Sequence, residues 1–458
     1  MNKRAKKTKV IATLGPASST KEIMLELVKA GADVFRINFS HADYELVKRN
    51  VDIIREINQE YGYNISILGD LQGPKLRVGV VKEGSFLNPG DVLTFTNEPC
   101  EGDSTKVFMT YEKFPQDVKV GERILIDDGK LVFEVIETNQ KDTVKAKTIQ
   151  GGPLSSKKGV NLPNTNVSLP ALTEKDIEDA KFMIENEFDW IALSFVRHAQ
   201  DIIDLKKLIE AHSDFKIPII AKIEKPEGVK NIDEILLECD GLMVARGDLG
   251  VEVPMEEVPV IQKKLVDKAR YYSKPVIIAT QMMETMISSL TPTRAEVNDV
   301  ANNVLDGADA VMLSGETSVG KYPVDVVKNI TKIIKNIEST NLYEKKNDII
   351  EKITCVDDRF VTDMICLNAV KIAETTGAAA IITLTHSGYT AFQISAHRPT
   401  SRIIVFSSNR RVLTMLNLLW GVRAFYYDMN KSTDETVIQV NMLTHHYGYV
   451  EKGDFVVN

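Results

Sequence analysis

The hydrophobic positions of this chain form short, nearly continuous runs that are separated by longer amphipathic stretches. Runs without alternation are typical of strands buried on both faces of a parallel sheet, and the stretches between them have helical periodicity. Three runs precede a long interruption and five follow it. The predicted strands are Lys9–Gly15, Asp33–Ser40, Ile65–Leu71, Trp190–Val196, Pro218–Ile223, Gly241–Ala245, Pro275–Gln281 and Ala310–Gly315.

Helical patterns lie between these strands, so that strand and helix alternate along the chain. Eight such units fit an α/β fold of the (β/α)8 TIM-barrel type better than a doubly wound open sheet, which remains the second interpretation of the pattern. The predicted helices are Lys21–Ala30, Asp43–Tyr61, Ala199–His212, Val260–Tyr272 and Arg294–Leu305.

Two regions depart from this rhythm. From Pro74 to about Ser168 the pattern is short and alternating, with turn signals such as Asn88-Pro89-Gly90, which predicts a β-rich domain inserted after the third strand. After Asn341 a separate α/β region follows. Its predicted elements are the helix Asp358–Thr376 and the strands Ala379–Thr385 and Arg402–Ser407. The predicted domains are therefore residues 1–73 with 169–341, residues 74–168, and residues 342–458.

The amino-acid composition limits the classes of function that the protein could have. The 458 residues are 43% hydrophobic, enough for large cores, and the formal net charge of −8 argues mildly against nucleic acid as a partner. No apolar run approaches the roughly 20 residues needed to cross a bilayer. The four cysteines have no zinc-ligand spacing, and we expect reduced thiols in a cytoplasmic protein.

Polar residues gather where the predicted barrel strands end, which is where TIM barrels carry their catalytic groups. Alternate residues of a strand share a face, so Lys222 and Glu224 should point together, as should Arg36, Asn38 and Ser40. Three further polar residues follow other strands: Asp70, Asp248 and Thr280.

These residue types suit phosphoryl transfer. Glu224 and Asp248 could hold one hard cation such as Mg²⁺, which typically takes one or two carboxylates. Arg36 and Lys222 would supply positive charge for an anionic group, and phosphoryl transfer depends mainly on such positioning and charge stabilisation. The bland interpretation of Lys222 and Glu224 is a buried ion pair that supports the barrel. A glycine-rich turn, Arg246-Gly247-Asp248-Leu249-Gly250, would bring backbone N–H groups to an anion.

At these residues the sequence resembles the pyruvate kinase family along nearly its whole length. The resemblance is carried by eight segments in order: Lys9–Ser18 (KVIATLGPAS), Arg36–His41 (RINFSH), Gly73-Pro74, Lys222–Gly228 (KIEKPEG), Ala245–Gly250 (ARGDLG), Ala279–Met283 (ATQMM), Pro292–Glu296 (PTRAE) and Gly307–Pro323 (GADAVMLSGETSVGKYP). It implies that the inserted domain is a small β-barrel lid and that the C-terminal α/β domain is regulatory.

The resemblance also implies substrates, phosphoenolpyruvate and ADP, and a role for each residue. Arg36 would bind the transferring phosphoryl group and Lys222 would stabilise its charge. Glu224 and Asp248 would hold Mg²⁺. Two magnesium ions are expected in turnover, the second arriving with the nucleotide, with Mn²⁺ able to substitute.

Further roles follow from the same resemblance. Backbone amides near Arg246, Gly247 and Asp248 would bind the substrate carboxylate. Thr280 would assist protonation of the enolate, although a hydroxyl satisfied by backbone is the plain interpretation. His41 and Arg77 would lie on the nucleotide side, although His41 could be an ordinary helix-start residue.

Potassium-dependent members of the family bind K⁺ through oxygens at positions that correspond to Asn38, Ser40, Asp70 and Leu71, and carry Glu where this chain has Lys75. Leu71 offers no side-chain oxygen, and Lys75 brings a fixed ammonium. We therefore expect that K⁺ is not required. The competing interpretation is that Lys75 is a solvated loop lysine.

Regulation and assembly are implied as well. The loop before the helix predicted near Ala391 would bind the phosphate of an effector, either a sugar phosphate or a nucleotide, although an ordinary capped turn explains it too; its residues are Thr385, His386, Ser387, Gly388, Tyr389 and Thr390. Family members usually continue past Asn458 through residues that help close this pocket. Arg294 lies in a helix that joins subunits in the family, which implies a homotetramer.

Two other functions remain open at this point. One is a carbon–carbon lyase that uses phosphoenolpyruvate or pyruvate on a similar barrel, and the other is a non-catalytic metabolite sensor. Formation of ATP would distinguish the lyase, and loss of activity on changing Lys222 would distinguish the sensor.

Overall fold

The computed structural model describes residues 6–340, 359–428 and 432–458, and for His41 it describes the backbone alone. The predicted boundary at residues 341 and 342 lies outside these ranges, as does the first residue of the helix predicted at Asp358–Thr376.

Eight parallel strands close into a barrel in the order β1-β16-β15-β14-β13-β12-β3-β2, which confirms the TIM-barrel prediction and excludes the doubly wound sheet. Barrel strands before the inserted domain are β1 (Lys9–Thr13), β2 (Val34–Asn38) and β3 (Ser66–Asp70). Strands of the inserted domain are β4 (Phe86–Leu87), β5 (Val92–Thr96), β6 (Lys106–Phe108), β7 (Arg123–Ile126), β8 (Leu131–Thr138), β9 (Thr143–Gln150), β10 (Gly152–Pro153) and β11 (Val160–Asn161). The remaining barrel strands are β12 (Trp190–Leu193), β13 (Ile219–Ile223), β14 (Gly241–Ala245), β15 (Val276–Ala279) and β16 (Ala310–Leu313).

Helices alternate with the barrel strands and cover them. Up to residue 340 the α-helices are α1 (Lys21–Ala30), α2 (Tyr44–Tyr61), α3 (Phe114–Asp117), α4 (Glu174–Glu185), α5 (Ala199–His212), α6 (Pro226–Lys230), α7 (Ile232–Glu238), α8 (Arg246–Glu252), α9 (Val258–Tyr271), α10 (Arg294–Asp306), α11 (Gly315–Ser318) and α12 (Pro323–Glu338). Short 3₁₀ turns occupy Phe39–His41, Met255–Glu257 and Glu284–Ile287. Within the described ranges, no helix is both long and apolar enough to cross a membrane.

Six of the eight barrel strands end one to three residues earlier than the hydrophobic pattern predicts, and in two of them the structure shows the physical reason. The strand predicted to continue to Ser40 stops at Asn38, because the Asn38 side chain accepts a hydrogen bond from the Ser40 N–H and starts a 3₁₀ turn. The strand predicted to continue to Gln281 stops at Ala279, because Thr280 and Gln281 take left-handed φ angles of 70° and 54°. Both corrections fall at the carboxyl ends of the strands, where polar side chains replace apolar packing.

The inserted domain is a curled sheet with its own apolar core. Its six main strands run β11-β7-β8-β9-β5-β6, and β4 pairs with β10 beside them. Arg77 bridges to Gly159, next to one edge strand, and Val78 bridges to Met109, next to the other. The chain at residues 77–78 thus links both edges and curls the sheet towards the small barrel that was expected.

The chain crosses between the barrel and the inserted domain twice, and Asp176 binds both crossings. This fully buried carboxylate accepts hydrogen bonds from the Gly73 N–H on the outgoing segment, at 3.1 Å, and from the Thr173 N–H on the returning segment, at 3.0 Å. Gly73 has a φ of 70°, and a Cβ there would lie 2.8 Å from the Phe195 ring, so the outgoing turn requires glycine. Asp176 therefore ties both connecting segments to the start of α4.

The C-terminal domain packs against the amino end of the barrel. Its parallel sheet runs β19-β18-β17-β20, and the Arg398 guanidinium forms a buried ion pair with Asp309, which directly precedes β16. Its strands are β17 (Ala380–Leu384), β18 (Arg402–Ser407), β19 (Val422–Tyr426) and β20 (Val456–Val457). Its helices are α13 (Phe360–Thr376), α14 (Tyr389–Ala396), α15 (Arg410–Met415) and α16 (Thr433–His446), with a 3₁₀ turn at Leu416–Leu418. The inserted domain contacts the opposite, carboxyl end of the barrel.

Candidate active site

Polar side chains from neighbouring strands meet at the carboxyl end of the barrel. The register places Asn38 opposite Asp70 and Lys222 opposite Met243, so that β2, β3, β13 and β14 end at one rim. Arg36 donates to Asp70 Oδ2 through Nε at 2.7 Å, and its guanidinium also donates to Thr13 Oγ1 at 3.1 Å. The sequence prediction that these strand ends share one site is therefore supported by direct contacts between Arg36 and Asp70.

Lys222 lies at the centre of the cluster. Its Nζ is 3.1 Å from Asp70 Oδ1 and 3.1 Å from Glu224 Oε1, and it donates to Ser194 Oγ at 2.6 Å. Burial opposes the charge, yet attraction to Asp70 and Glu224 outweighs burial and raises the pKa of Lys222 above its usual value. Burial alone would raise the pKa of Asp70, but the positive charges of Lys222 and Arg36 hold this pKa below its usual value. The site therefore presents a fixed ammonium and guanidinium at the barrel mouth.

Glu224 is under greater electrostatic strain than Asp70. Burial, the largest cause, raises the pKa of Glu224 to about 7; Lys222 opposes this rise, and the charge of Asp248 adds to it. The Phe195 N–H donates to Glu224 Oε2 at 2.7 Å. The negative charge of Glu224 is thus opposed both by burial and by the neighbouring charge of Asp248.

This donor set fits a divalent cation. Burial and the charge of Asp248 both disfavour the charged form of Glu224, and a hard cation, whose usual ligands are carboxylate oxygens, would stabilise that form. Asp248 is exposed at the start of α8, whereas Glu224 is buried, so one ligand faces solvent and the other the barrel. Among the described residues no group of three or more His, Cys, Asp or Glu could cage a metal. A cation here would therefore need oxygens from substrate and water as well.

The loop after β15 is held in a strained conformation. Arg246 donates to the Thr280 carbonyl at 2.7 Å and pairs with Asp299 at 2.8 Å, which fixes the peptide between two left-handed residues. Non-glycine residues with positive φ cost free energy and cluster at functional sites. Arg246 thus connects the start of α8 to the end of β15.

The Thr280 hydroxyl already has two backbone partners. It donates to the Ala279 carbonyl at 2.6 Å and accepts from the Gly247 N–H at 2.7 Å. A Cβ at residue 247 would lie 3.3 Å from this hydroxyl, so glycine allows the close approach. In this structure the Thr280 hydroxyl is therefore satisfied by the backbone, which was the plain interpretation of this residue. Any ligand that binds the Gly247 N–H must replace Thr280 as its partner.

Sequence reasoning missed two residues of the cluster. Ser194 accepts from Lys222 and donates to the Leu71 carbonyl at 2.7 Å, and Thr13 accepts from Arg36. Thr13 is the last residue of β1, and Ser194 directly follows β12. The criterion that selected Asp70 and Thr280, a polar residue where a barrel strand ends, would therefore have selected them too.

The predicted monovalent-cation region is divided between buried and exposed positions. Leu71 is buried, with its carbonyl bound by Ser194, and Asp70 is bound to Arg36 and Lys222. Asn38 and Lys75 are exposed, and Ser40 is half-buried. The side-chain oxygens of this region therefore point to different surroundings in this structure.

The residues expected on the nucleotide side are less defined. Arg77 belongs to the inserted domain, where its guanidinium donates to the Lys157 carbonyl at 2.9 Å. For His41, the side chain falls outside the described part of the chain, and its backbone lies in the 3₁₀ turn after β2.

The predicted effector loop precedes α14, which starts at Tyr389, two residues before the predicted start. Gly388 caps the helix with a φ of 89°, and its N–H is bound by the Thr385 hydroxyl at 2.9 Å. The Thr390 hydroxyl lies 3.0 Å from that of Thr383. His386 and Ser387 are exposed. The correction places Tyr389 and Thr390 inside the helix, since Gly388 can take the positive φ of this N-cap position.

Known proteins match this architecture. A family model described as the pyruvate kinase barrel domain matches residues 5–327, and one described as the pyruvate kinase alpha/beta domain matches residues 363–458. Pyruvate kinase 2 of Synechocystis sp. is 43% identical over 457 residues, which cover 99% of this chain and 76% of that protein. The pyruvate kinase of Mycobacterium intracellulare is 42% identical over 454 residues, covering 99% of this chain and 94% of the relative.

The structural comparison agrees. The crystal structure of a pyruvate kinase from Cryptosporidium parvum matches with a TM-score of 0.93 at 34% identity, covering 99% of this chain and 94% of that one. The lyase and the non-catalytic sensor are thereby set aside. A barrel model that matches more than half of the chain, relatives above 40% identity over nearly all of it, and the same three-part fold together establish that this phosphotransferase belongs to the pyruvate kinase family.

Proposed function

We propose that the barrel mouth transfers the phosphoryl group of phosphoenolpyruvate to ADP in a Mg²⁺-dependent reaction that gives pyruvate and ATP in glycolysis. The observation that carries this proposal is the position of Lys222, within 3.1 Å of both Asp70 and Glu224, while Arg36 binds the other oxygen of Asp70. Two cations at one rim can hold an anionic group between them.

Arg36 and Lys222 would divide the work of charge stabilisation. Arg36 has a planar guanidinium that Asp70 orients, so it would bind the phosphoryl oxygens in a fixed geometry. Lys222 stays charged because of Asp70 and Glu224, and it would neutralise the charge that develops during transfer.

Glu224 and Asp248 would hold the substrate-bound magnesium ion, and a second would arrive with the nucleotide; Mn²⁺ can substitute at such oxygen sites. When bound, the ion would draw charge from the oxygens of the transferring group. The Phe195 N–H keeps Glu224 oriented towards Lys222. The exposed Asp248 leaves its side of the ion open to substrate and water.

The loop held by Arg246 would bind and protonate the organic part of the substrate. In this proposal the substrate carboxylate takes the Gly247 N–H from Thr280, together with amides near Arg246 and Asp248. The released Thr280 hydroxyl could then assist delivery of a proton to the enolate carbon. Arg246 keeps Thr280 in place through its carbonyl.

The inserted domain, for which we propose residues 74–168, would act as a lid that excludes water, with residues 1–73 and 169–341 as the catalytic barrel. Arg77 and His41 would lie on the nucleotide side.

Turnover is proposed to be independent of K⁺, because Leu71 is buried without a side-chain oxygen and Lys75 supplies a fixed charge.

Regulation, assembly and location complete the proposal. Residues 342–458 would form a regulatory domain whose Thr385–Thr390 loop binds a sugar-phosphate or nucleotide effector, supported by the exposed Ser387 and His386 before α14. Arg294 in α10 would lie at a subunit contact of a homotetramer. A cytoplasmic location is supported by the free thiols of Cys100, Cys239 and Cys366.

The experiment is a direct assay of ATP formed from phosphoenolpyruvate and ADP. The wild-type protein should form ATP only when Mg²⁺ or Mn²⁺ is present. Lys222→Met should lower kcat by about 10²- to 10³-fold, the usual effect of removing one charge-stabilising donor, whereas the exposed Lys230→Met is the matched control and should behave as wild type. Absence of ATP in the wild type, or full activity of Lys222→Met, would contradict the proposal.

A further inference from the structure

A buried polar cluster connects the inserted domain to the barrel at the edge of the active site. Glu252, at the end of α8, accepts from Lys225 Nζ at 2.7 Å and from the Asn161 amide at 2.8 Å through the same oxygen, Oε1. Asn161 lies in β11 of the inserted domain, while Lys225 and Glu252 belong to the barrel. One hydrogen bond from the inserted domain thus ends on a buried carboxylate of the barrel.

The Glu252 carboxylate depends on these two donors. Its side chain has no solvent exposure, and its other oxygen, Oε2, has no hydrogen-bond partner within the described residues. A buried charge with an unsatisfied oxygen is costly, and the loss of a remaining donor is therefore felt strongly. An inserted domain that moved away from the barrel would take the Asn161 amide with it and leave Glu252 only Lys225.

The cluster adjoins both candidate metal ligands. Lys225 directly follows Glu224, and Glu252 lies one helical turn after Asp248 in α8. The Asn161 contact therefore reaches the two backbone segments that carry Glu224 and Asp248. Asp176 holds the two connecting segments, and the Asn161 contact joins the inserted domain to the barrel at a second point.

We propose that Asn161 is a positioning residue, whose hydrogen bond to Glu252 latches the inserted domain over the barrel mouth and so directs the phosphoryl group to ADP rather than to water. The inference rests on the proposed function. In transfer, a terminal phosphate oxygen of ADP forms the new bond to phosphorus while the bond to the enolate oxygen breaks, and the enolate takes a proton to give pyruvate. In hydrolysis, water supplies that oxygen and inorganic phosphate leaves in place of ATP.

The test removes the amide donor while keeping the number and branching of the side-chain heavy atoms. Asn161→Leu is compared with Asn164→Leu, the same change at an exposed position three residues along the same segment. Four quantities are measured: the KM for ADP, kcat, the ratio of pyruvate to ATP produced, and hydrogen exchange of the amides in residues 160–162 and 246–252 with Mn²⁺ bound.

Asn161→Leu should raise the KM for ADP about tenfold, the expected effect of losing one hydrogen bond to a charged group. It should also release more pyruvate than ATP and increase exchange in both segments, whereas Asn164→Leu should retain wild-type values. In the double variant Asn161→Leu with Glu252→Gln, the effects should be smaller than the sum of the single effects, because both changes break one contact. If Glu252→Gln does not fold, the two Asn variants decide the question.

Equal pyruvate and ATP, an unchanged KM and unchanged exchange in folded Asn161→Leu would overturn the latch. That outcome leaves the proposed function intact if the wild type forms ATP. A wild-type protein that forms no ATP would instead contradict the proposed function. A change in exchange alone, with unchanged KM and an unchanged ratio of pyruvate to ATP, would also overturn the proposal, because Asn161 would then support the domain contact without directing the phosphoryl group.

Discussion

At the scale of single residues, the chemistry of this site depends on charges that balance one another. Asp70 is bound by two cations, whereas Glu224 shares Lys222 with Asp70 and has Asp248 nearby. Neighbouring positive charges therefore balance the negative charge of Asp70, whereas they do not balance that of Glu224. The uncompensated carboxylate is the one expected to bind a metal.

Lys75 carries a prediction about cation dependence. The wild-type protein should retain full activity when a bulky tetraalkylammonium salt replaces K⁺. Lys75→Glu should lower activity about tenfold or more in the absence of K⁺, because it removes a fixed cation and adds a negative charge; added K⁺ should restore part of it. The exposed Lys119→Glu is the charge-matched control. A hundredfold loss of wild-type activity without K⁺ would refute this account.

His397 carries a prediction about stability and pH. Burial, aided by Arg270 and Lys371 and opposed by Asp363, lowers the pKa of His397 from 6.5 to about 4. Between these values the unfolded chain binds a proton that the folded chain does not, so stability falls as the pH falls through this window. From about pH 7.5 to pH 5.5 this group should remove about 1.3 kcal/mol of stability.

Urea unfolding at both pH values measures this effect. His397→Gln should lose less stability on acidification than the wild type by about that amount, while the exposed His212→Gln should match the wild type. Equal pH dependence in wild type and His397→Gln would show that the residue is not held neutral.

At the scale of elements, the ends of strands determine the site. Arg246 ties α8 to the loop after β15 and holds Thr280 and Gln281 in left-handed conformations. Arg246→Met should therefore lower kcat/KM by about 10²-fold, since a displaced loop loses the geometry of Thr280 and Gly247. Its thermal midpoint should change by only a few degrees, and the exposed Arg49→Met should have no effect. Unchanged kcat/KM in folded Arg246→Met would be inconsistent with this role.

The sequence predicted the elements well where burial decides them. Gly241–Ala245 and Ala199–His212 have the predicted bounds, because apolar periodicity reflects the packing of buried strands and amphipathic helices. Asp33–Ser40 and Pro275–Gln281 were predicted too long, because a side-chain cap and two left-handed residues end these strands, and apolar patterning does not report either.

Part of the site could not be read from the pattern. Asp176, Glu252 and Asn161 act through contacts between segments far apart in the chain, which depend on how the inserted domain returns to the barrel. Arg36, Lys222 and Glu224 could be predicted, because each follows from its place at the end of a strand. Their residue types predicted metal binding and charge stabilisation, and the family resemblance implied the particular substrates and the step that each residue serves.

At the scale of the whole molecule, the two ends of the barrel have separate tasks. The amino end is closed by the C-terminal domain through the buried pair of Arg398 and Asp309. The carboxyl end carries the charged cluster and faces the inserted domain, which Asp176 and Glu252 attach at separate points. A change at either attachment of the inserted domain should therefore alter catalysis without unfolding the barrel.

The central claim is that Glu224 and Asp248, on separate strand ends, bind one divalent ion at the barrel mouth. The most direct measurement is Mn²⁺ binding followed by electron paramagnetic resonance, for the wild type, Glu224→Gln, Asp248→Asn and the exposed control Asp267→Asn. We predict one site in the wild type and in the control, with affinity at least about tenfold weaker in each of the other two, because a two-carboxylate site loses half of its charge. Wild-type affinity in either Glu224→Gln or Asp248→Asn would contradict the account.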